Sequence, residues 1–400
     1  MIFTLDVRRA RKGDCLIVHY GSKTEPGLML IDGGPADVYK PFLKPRLAEI
    51  RKARGLTANA TLPVDLLMVS HIDDDHINGV LELTKELIQT EGPPALKING
   101  LWHNTFDDII GNNPDKLRAA VTASFGTASL SGEPEEVEGL DPEAAKVLAS
   151  VDQGFRLRDD SRALKLRLNP QLKGKLVLAK KNAKPVDMGK GLKFTIIGPM
   201  NDEVLALQQA HDEFLEKHQG KKSEASLAAF TDTSVPNLSS LVVLAEVGGK
   251  RMLPTGDARG DKVLEGLELA GLLKKDGKIH VDIFKCPHHG SKRNNDPISF
   301  RRITADHYVF SGNGQHGNPA RETLEMLWGE RGDEKYTVHL TYPIDEIDVN
   351  RKAEEKKKGK PWSPKKQGLV ALFDENPKFF KKVVIVDAKK PHLINLGDKL

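Results

Sequence analysis

The chain has 400 residues, of which 39% are hydrophobic and 29% charged, a balance that excludes a disordered polymer and fits a soluble globular protein. Lys and Arg together number 60 against 56 Asp and Glu, a net charge of +4, too small a surplus to identify a nucleic-acid binder by itself. Two cysteines, Cys15 and Cys286, exclude a disulfide framework and a cysteine-only zinc site. No run of about 18 apolar residues predicts a transmembrane helix, and Met1–Arg9 lacks the apolar core of a signal peptide, so the expectation is a cytoplasmic protein with no membrane partner.

In chain order, Phe3–Val7 alternates, and Cys15–Val18 and Leu28–Ile31 are short apolar runs, all read as strands. Gly33-Gly34-Pro35 stops the third strand, and a helix of mixed charge is expected over about 38–54. Val64–Val69 is the next strand, turning sharply at Ser70-His71. The helix after His76 carries Val80, Leu83 and Leu87 at helical spacing, and Ala95–Trp102 returns as a strand. Residues near 105–190 show no strand rhythm until Leu192–Ile197 and read as a partly helical insertion on the rim. An amphipathic helix over about 201–218 follows. Leu238–Val247, Lys250–Leu253, Val281–Phe284, Tyr308–Phe310 and Thr337–Leu340 read as further strands, with closing strands at Gly368–Phe373 and Lys382–Asp387. Strand runs at both ends with helices between them predict an α/β fold of two sheets face to face and helices outside. One unit spans 1–340, and 341–400 adds a basic loop plus closing strands of the same sandwich.

The chemistry concentrates in His71-Ile72-Asp73-Asp74-Asp75-His76, between an apolar strand and a helix. Four donors at relative positions 1, 3, 5 and 6 of one tight turn can converge, and imidazole with carboxylate suits zinc or manganese. A solvated, helix-capping acidic loop is the alternative, but two histidines flanking three aspartates exceed what capping requires. Thr255-Gly256-Asp257 puts a carboxylate at a second strand end, and Pro287-His288-His289-Gly290-Ser291 puts two imidazoles after a third. Singly, these would be an ordinary turn and a packed loop. Together, in this order and all at strand ends, they describe a metal centre.

These three motifs resemble those of the metallo-β-lactamase-fold hydrolases, in the branch typified by the soluble domain of the competence protein ComEC. The likeness extends to Leu30-Ile31-Asp32-Gly33-Gly34, to Asn237…Ser240 and to His316-Gly317-Asn318-Pro319. It implies a four-layer αββα sandwich and a dinuclear site of two divalent ions, zinc or manganese, sharing a hydroxide. In that site His71 and Asp73 would hold one metal, and Asp75 and His76 the other. Asp257 would bridge, and His288 or His289 would complete the second metal. Asp32 would orient a ligand histidine through its other nitrogen. Asp75, His289 and His316 would stand at the reacting centre, His316 as substrate contact or proton donor. Asp73 occupies a position where most members carry histidine, which hardens the site and brings manganese into competition with zinc. His103 is the candidate for a further histidine ligand, the alternative being a packed or solvated strand-end residue; His211 and His218 fall on the predicted helix as surface residues. Lys292, with Ser291 and Arg293, could neutralise phosphoryl charge or simply be solvated. Cys286 reads as packed inward rather than reactive.

The segment Arg351–Lys366 surrounds Trp362 with Lys356, Lys357, Lys358, Lys360, Lys365 and Lys366, which suits either a nucleic-acid backbone or plain solvation. The function implied is a metal-dependent phosphodiesterase or nuclease acting on nucleic acid or nucleotide. The alternatives are a hydrolase of small esters of the phosphorylcholine or lactone type, and a metal-stabilised, non-catalytic partner of another protein.

Overall fold

Strands covered on both faces can be apolar along their whole length, whereas half-solvated strands must alternate. In the computed structural model, which describes residues 1–57, 59–104, 142–205 and 239–400, the central strands are of the first kind. One sheet contains β1 (Ile2–Val7), β2 (Leu16–Gly21), β3 (Pro26–Ile31), β5 (Leu66–Met68), β7 (Leu101–Trp102) and β16 (His392–Asn395), in the order β16-β1-β2-β3-β5-β7. Its β16-β1-β2-β3 portion is antiparallel, while β3, β5 and β7 run parallel.

The second sheet contains β8 (Val186–Gly189), β9 (Leu192–Gly198), β10 (Val242–Val247), β11 (Lys250–Leu253), β12 (Ile279–Lys285), β13 (Ile303–Phe310), β14 (Thr337–Leu340) and β15 (Val383–Ile385). They lie in reverse chain order across the sheet, parallel from β11 to β15 and antiparallel from β8 to β11.

Three apolar clusters stack these elements into layers. Between the sheets, Phe3, Leu5, Val18, Met29 and Trp102 pack with Phe194, Val243, Met252, Ile283 and Val309. Outside the first sheet, Ile17, Leu28, Leu30 and Leu67 meet Leu47 and Ile50 of α1 (Lys44–Ala53) and Ile77, Val80 and Leu83 of α2 (Asp74–Gln89). Outside the second, Leu253, Val281, Phe284 and Phe310 meet Val263 and Leu267 of α4 (Gly260–Leu269), Phe300 of α5 (Pro297–Arg302) and Leu324 and Leu327 of α6 (Arg321–Arg331). The result is a mixed α/β sandwich. None of its described helices is long and apolar enough to cross a membrane.

Several expectations need correction. Gly368–Phe373 is not a strand: Leu369–Glu375 is helix α8, because its buried Leu369, Leu372 and Phe373 recur at i, i+3 and i+4 and cover the second sheet. Of the stretch expected as a basic loop, residues 351–357 belong to helix α7 (Ile344–Lys357), with Asp345 and Glu346 in its first turn and Lys356 and Lys357 in its last, the arrangement that the helix dipole favours. Val64–Val69 breaks into β4 (Leu62–Val64) and β5 at Asp65, whose carboxylate accepts from Tyr20, the Leu28 amide and Lys190; β4 pairs with β6 (Leu96–Ile98) in a separate small sheet. The helix over 38–54 begins with a π-helical turn, Tyr39–Leu43, before α1.

Of the expected insertion, 105–141 lie outside the described residues, and α3 (Pro142–Ala163) is helical. The segment after α3 is not peripheral, since the Asn169 side chain bonds both the amide and the carbonyl of His103, and Asn104 exchanges bonds with Val177. Of the helix expected over 201–218, residues 201–205 are helical and the remainder, with His211 and His218, lies outside the described residues, as do Asn237 and Leu238.

The parallel strands of both sheets end on one edge of the sandwich. Asp32 follows β3, Ser70-His71 follows β5, His103 follows β7, Asp257 follows β11, the His288-His289 pair follows β12 and Ser311 follows β13. Open α/β sheets place their ligands beyond such carboxyl ends.

Candidate metal centre

The turn after β5 is shaped by the start of α2. Asp73 caps the helix by accepting at its carbonyl from the His76 and Ile77 amides, at 2.9 and 3.1 Å. The Asp74 side chain turns away to Lys12 at 3.2 Å and to Asn78, leaving His71, Asp73, Asp75 and His76 facing inward. The loop before β2 presses on this turn so closely that a Cβ at Gly13 would lie 1.7 Å from the Asp75 carbonyl oxygen. Gly256 adopts φ +51 and lets the Asp257 loop approach Ser70, where an added Cβ would be 3.0 Å from the serine Cβ.

Asp257 is the hub. Its Oδ1 lies 3.1 Å from His76 Nε2 and 3.4 Å from His289 Nε2, and its Oδ2 lies 3.7 Å from His71 Nε2 and 3.4 Å from His288 Nε2. Asp75 flanks the first half, 3.5 Å from His289 Nε2 and 3.9 Å from His76 Nε2. Asp73 flanks the second, 3.7 Å from His71 Nε2. Both histidines of the adjacent pair therefore face Asp257, on different oxygens. His288 and His289 reach it through left-handed backbone, φ +46 and +54, with ring planes 86° apart. Such φ values in non-glycine residues are strained and cluster at functional sites.

Hydrogen bonds behind the rings set which nitrogen carries the proton. Asp32 accepts from the Ser70 amide (2.7 Å), from the Ser70 hydroxyl (2.6 Å) and from His76 Nδ1 (2.8 Å). Because the Ser70 hydroxyl proton goes to Asp32, its oxygen accepts from His71 Nδ1 at 3.0 Å. His289 Nδ1 lies 3.1 Å from Ser311 Oγ and 3.3 Å from Asp14 Oδ1. With Nδ1 of all three rings turned to these partners, the Nε2 atoms face one another and Asp257, and His76 and His289 stand only 3.3 Å apart at Nε2.

This donor set fits a divalent cation. His71 Nε2 is buried with no hydrogen-bond partner among the described residues, a costly state that a cation relieves. Burial and the neighbouring His76 push the His71 imidazole down to about 3, so its Nε2 is a free donor. Burial also opposes charge on His76 and His289, yet the carboxylates prevail: Asp257 and Asp32 hold His76 well above the ordinary range, and Asp257 and Asp14 raise His289 to about 9. Asp257 and Asp75 are depressed despite burial, Asp257 by His288, His289 and His76, and Asp75 by His289 and His76. Protons thus hold together in the bare protein what a cation holds together when bound. Since His289 is protonated below about pH 9, cation uptake at neutral pH is expected to release protons, and affinity is expected to fall as the pH falls. Calorimetry in two buffers of different ionisation enthalpy measures this; equal apparent heats would contradict it.

The remaining expected site residues stand further out. His103 is buried, bonded through Nδ1 to the Val69 carbonyl at 3.3 Å, and pairs with no carboxylate among the described residues; burial lowers it to about 4. Its Nε2 is unpartnered, but the ring is outside the Asp257 constellation. His316 is exposed on the turn Gln315–Gly317, with φ +56. Earlier in its loop, Gly312 lies against His289, where an added Cβ would be 3.4 Å from the histidine Cβ. Lys292 extends to the surface and bonds Glu322 at 2.9 Å, so the expected phosphoryl partner is already engaged with a carboxylate. Cys286 and Cys15 are buried; burial raises Cys286 well above the ordinary thiol range and Cys15 to about 12. Neither is expected to react with a disulfide-exchange reagent at pH 8 until the chain is unfolded, and release of the reagent's chromophore by the native protein would contradict this.

Sequence reasoning passed over Asp14, Lys285, Ser70 and Ser311. Asp14 is fully enclosed, 2.7 Å from Lys285 Nζ, and with His76, Asp257 and His289 it offers atoms within 4.8 Å of one another. Neither Asp14 nor Lys285 belongs to a spaced motif, so only their three-dimensional neighbourhood identifies them. No protein-family model matches the chain, and no curated protein does.

Proposed function

We propose that the chain is a metal-dependent hydrolase of the metallo-β-lactamase fold, ComEC-type branch, carrying two divalent ions, zinc or manganese, and cleaving phosphodiesters of nucleic acids or nucleotides. One observation carries the reading: each oxygen of a single buried carboxylate, Asp257, faces two imidazoles, and each pair of imidazoles has a further aspartate on one of its rings. That is the donor arrangement for two cations sharing one bridge. The layering of two sheets between helices, with every donor loop at a strand end, supports the same reading.

In this assignment His71, Asp73 and His288 would hold one ion, and Asp75, His76 and His289 the other. His288 and His289 thereby divide between the two ions instead of serving one. Bound cations would supply Lewis acidity toward the phosphoryl oxygens and the attacking water. The protein's residues do the rest. Asp32 keeps His76 in one tautomer, Ser70 does so for His71, and the enclosed His71 and His76 exclude water from the rear of the site. The open side is marked by the partly exposed Asp73 and His288, at 32% and 25%, and a substrate would enter there. The carboxylates Asp73, Asp75 and Asp257 make a hard donor set that suits manganese as well as zinc. Two free, unbridged cysteines accord with a reducing, cytoplasmic setting.

The test is turnover of bis-p-nitrophenyl phosphate and of single- and double-stranded DNA by protein of confirmed metal content, in zinc, manganese and nickel. Phosphodiester cleavage supports the reading. Cleavage confined to carboxylic esters or lactones would move it to the small-ester class. No turnover in any loaded form would leave a metal-stabilised partner protein.

A further inference from the structure

Between Arg351 and Lys366 the chain carries eight cations and two carboxylates, although its whole net charge is +4, so the remaining residues together are net acidic. Blocks of like charge repel one another, and an ordinary solvated face disperses them among carboxylates. Here the charge stays concentrated. Glu354 pairs with Lys357 at 3.6 Å. Carboxylates of the neighbouring elements are engaged elsewhere: Glu322 with Lys292, Glu325 and Glu375 with Arg321, and Asp348 with the Leu369 and Val370 amides. Lys356, Lys358, Lys360, Lys365 and Lys366 are exposed and form no ion pair among the described residues.

The backbone that carries these lysines is held in place. Buried Arg351 donates to the Gln367 carbonyl and lies over the Trp362 ring, 5.6 Å from its centroid, and the Ser363 amide donates to the Gln367 side chain at 2.6 Å. Both ends of the segment are fastened to residues 311–320, the loop that lies against His289. Near the start, Asn350 donates to the Asn313 carbonyl at 2.8 Å, and a Cβ added at Gly314 would lie 2.2 Å from the Ile347 carbonyl oxygen. Near the end, the Arg321 guanidinium donates to the Lys365 carbonyl at 2.7 Å. The adjoining Ala320 amide donates to the carbonyl of Gly290, the residue after His289, at 3.1 Å. The lysine-bearing chain is therefore tethered beside the donor loops.

We propose that residues 351–366 form an arm that grips the phosphate backbone of a nucleic-acid strand beside the metal centre, so that the substrate is a polymer rather than a free nucleotide. The inference rests on the phosphodiesterase reading above and adds the substrate class and the surface that selects it. Lysine ammonium groups neutralise successive phosphates and release condensed counterions without reading the bases. The grip is consequently independent of sequence and strongly dependent on salt. A free nucleotide offers too few phosphates to engage several of these lysines together.

The experiment is a fluorescence-anisotropy titration of a labelled single-stranded DNA oligonucleotide with the full chain, in excess chelator to prevent cleavage, across a range of salt concentrations. Phosphatidylserine vesicles serve as a second anionic probe. The wild type is expected to bind the oligonucleotide with an affinity that falls steeply as salt rises. The combined variant Lys356→Gln/Lys358→Gln/Lys360→Gln/Lys365→Gln/Lys366→Gln is expected to bind at least about 10-fold more weakly and to flatten the logarithmic salt slope by about 0.7 for each phosphate contact removed. Its arginine counterpart, with the charge kept at all five positions, is expected to retain both, which separates lost charge from disturbed folding. In metal-loaded protein, the glutamine variant is expected to lose kcat/KM on the oligonucleotide at least about 10-fold relative to bis-p-nitrophenyl phosphate, with KM bearing the loss. No binding by the wild type, equal binding by the glutamine variant, or an equal loss in the arginine variant overturns the arm. Capture of the vesicles but not the oligonucleotide assigns the lysines to a membrane surface and overturns it too. Arm-dependent binding without phosphodiester turnover in any loaded form overturns the hydrolase reading and keeps the arm, whereas turnover of bis-p-nitrophenyl phosphate without oligonucleotide binding does the reverse.

Discussion

Asp257→Ala is expected to bind neither of the proposed cations and to lose the proposed phosphodiester turnover by at least about 10³-fold. Each oxygen of Asp257 faces two imidazoles, and among the described residues Asp257 is the carboxylate that reaches all four rings, whereas Asp75 reaches His76 and His289 alone. Without it the centre keeps Asp73 on one side and Asp75 on the other but has no shared ligand, and four imidazole nitrogens lose the charge that gathers them. Metal ions supply several kcal/mol of transition-state stabilisation, and each 1.36 kcal/mol is tenfold in rate, which sets the scale. Asp257→Asn keeps the shape without the charge and is expected to fail nearly as badly, which separates charge from packing. Elemental analysis beside rate measurement decides the matter. A full metal complement in Asp257→Ala would show that the carboxylate is no ligand.

Lys285→Met is expected to destabilise the metal-free chain by about 3–5 kcal/mol, the range for removing one partner of a buried ion pair. Asp14 would be left enclosed and charged, with the Ser311 hydroxyl and His289 to compensate among the described residues. Asp14→Asn/Lys285→Met is expected to recover most of the loss, because an uncharged pair of similar volume no longer carries the desolvation penalty. The pH dependence has a definite sign. Burial opposes the charge on Asp14, but Lys285 and His289 outweigh it and hold the carboxyl below its ordinary range. Its contribution to stability is therefore complete above the unfolded carboxyl value, near 4, and is lost as the pH falls further. The penalty of Lys285→Met is expected to be largest at neutral pH and to shrink on acidification, when Asp14 can take up a proton. Denaturant unfolding at pH 7 and pH 4.5 checks both statements. A penalty that does not change with pH would mean that Asp14 is not the group left uncompensated.

The expected and observed elements differ where long-range packing competes with local pattern. Leu369-Val370-Ala371-Leu372-Phe373 is apolar enough for a strand, but a short apolar run does not distinguish a strand from a buried helix. What selects the helix is the second sheet beneath it, which receives Leu369, Leu372 and Phe373 and leaves Val370 exposed. Strand β16 carries no local signal comparable to the apolar runs, and it exists because β1 offers an open edge with Thr4 opposite Asn395 and Val7 opposite His392. The tail consequently supplies an outer strand to each sheet, β15 on β14 and β16 on β1.

Residues 71–76 were legible because their convergence is local: one turn between a strand and a helix directs its own side chains. Asp257 and the histidine pair were legible as strand-end donors, although nothing in their spacing says which ring meets which oxygen. That was settled by consecutive left-handed residues at His288 and His289, a backbone choice made by the packing around them. Asp14 and Ser311, 297 residues apart in the chain, and Lys285, buried at the end of an otherwise apolar strand, meet only after both sheets have formed. The amino-acid order thus determined the layered α/β architecture and the donor types, since periodicity and strand-end chemistry are short-range properties. The division of the donors about Asp257, and the charges buried behind them, were decided by tertiary structure, because hydrogen bonding and desolvation depend on neighbours that the linear chain does not place side by side.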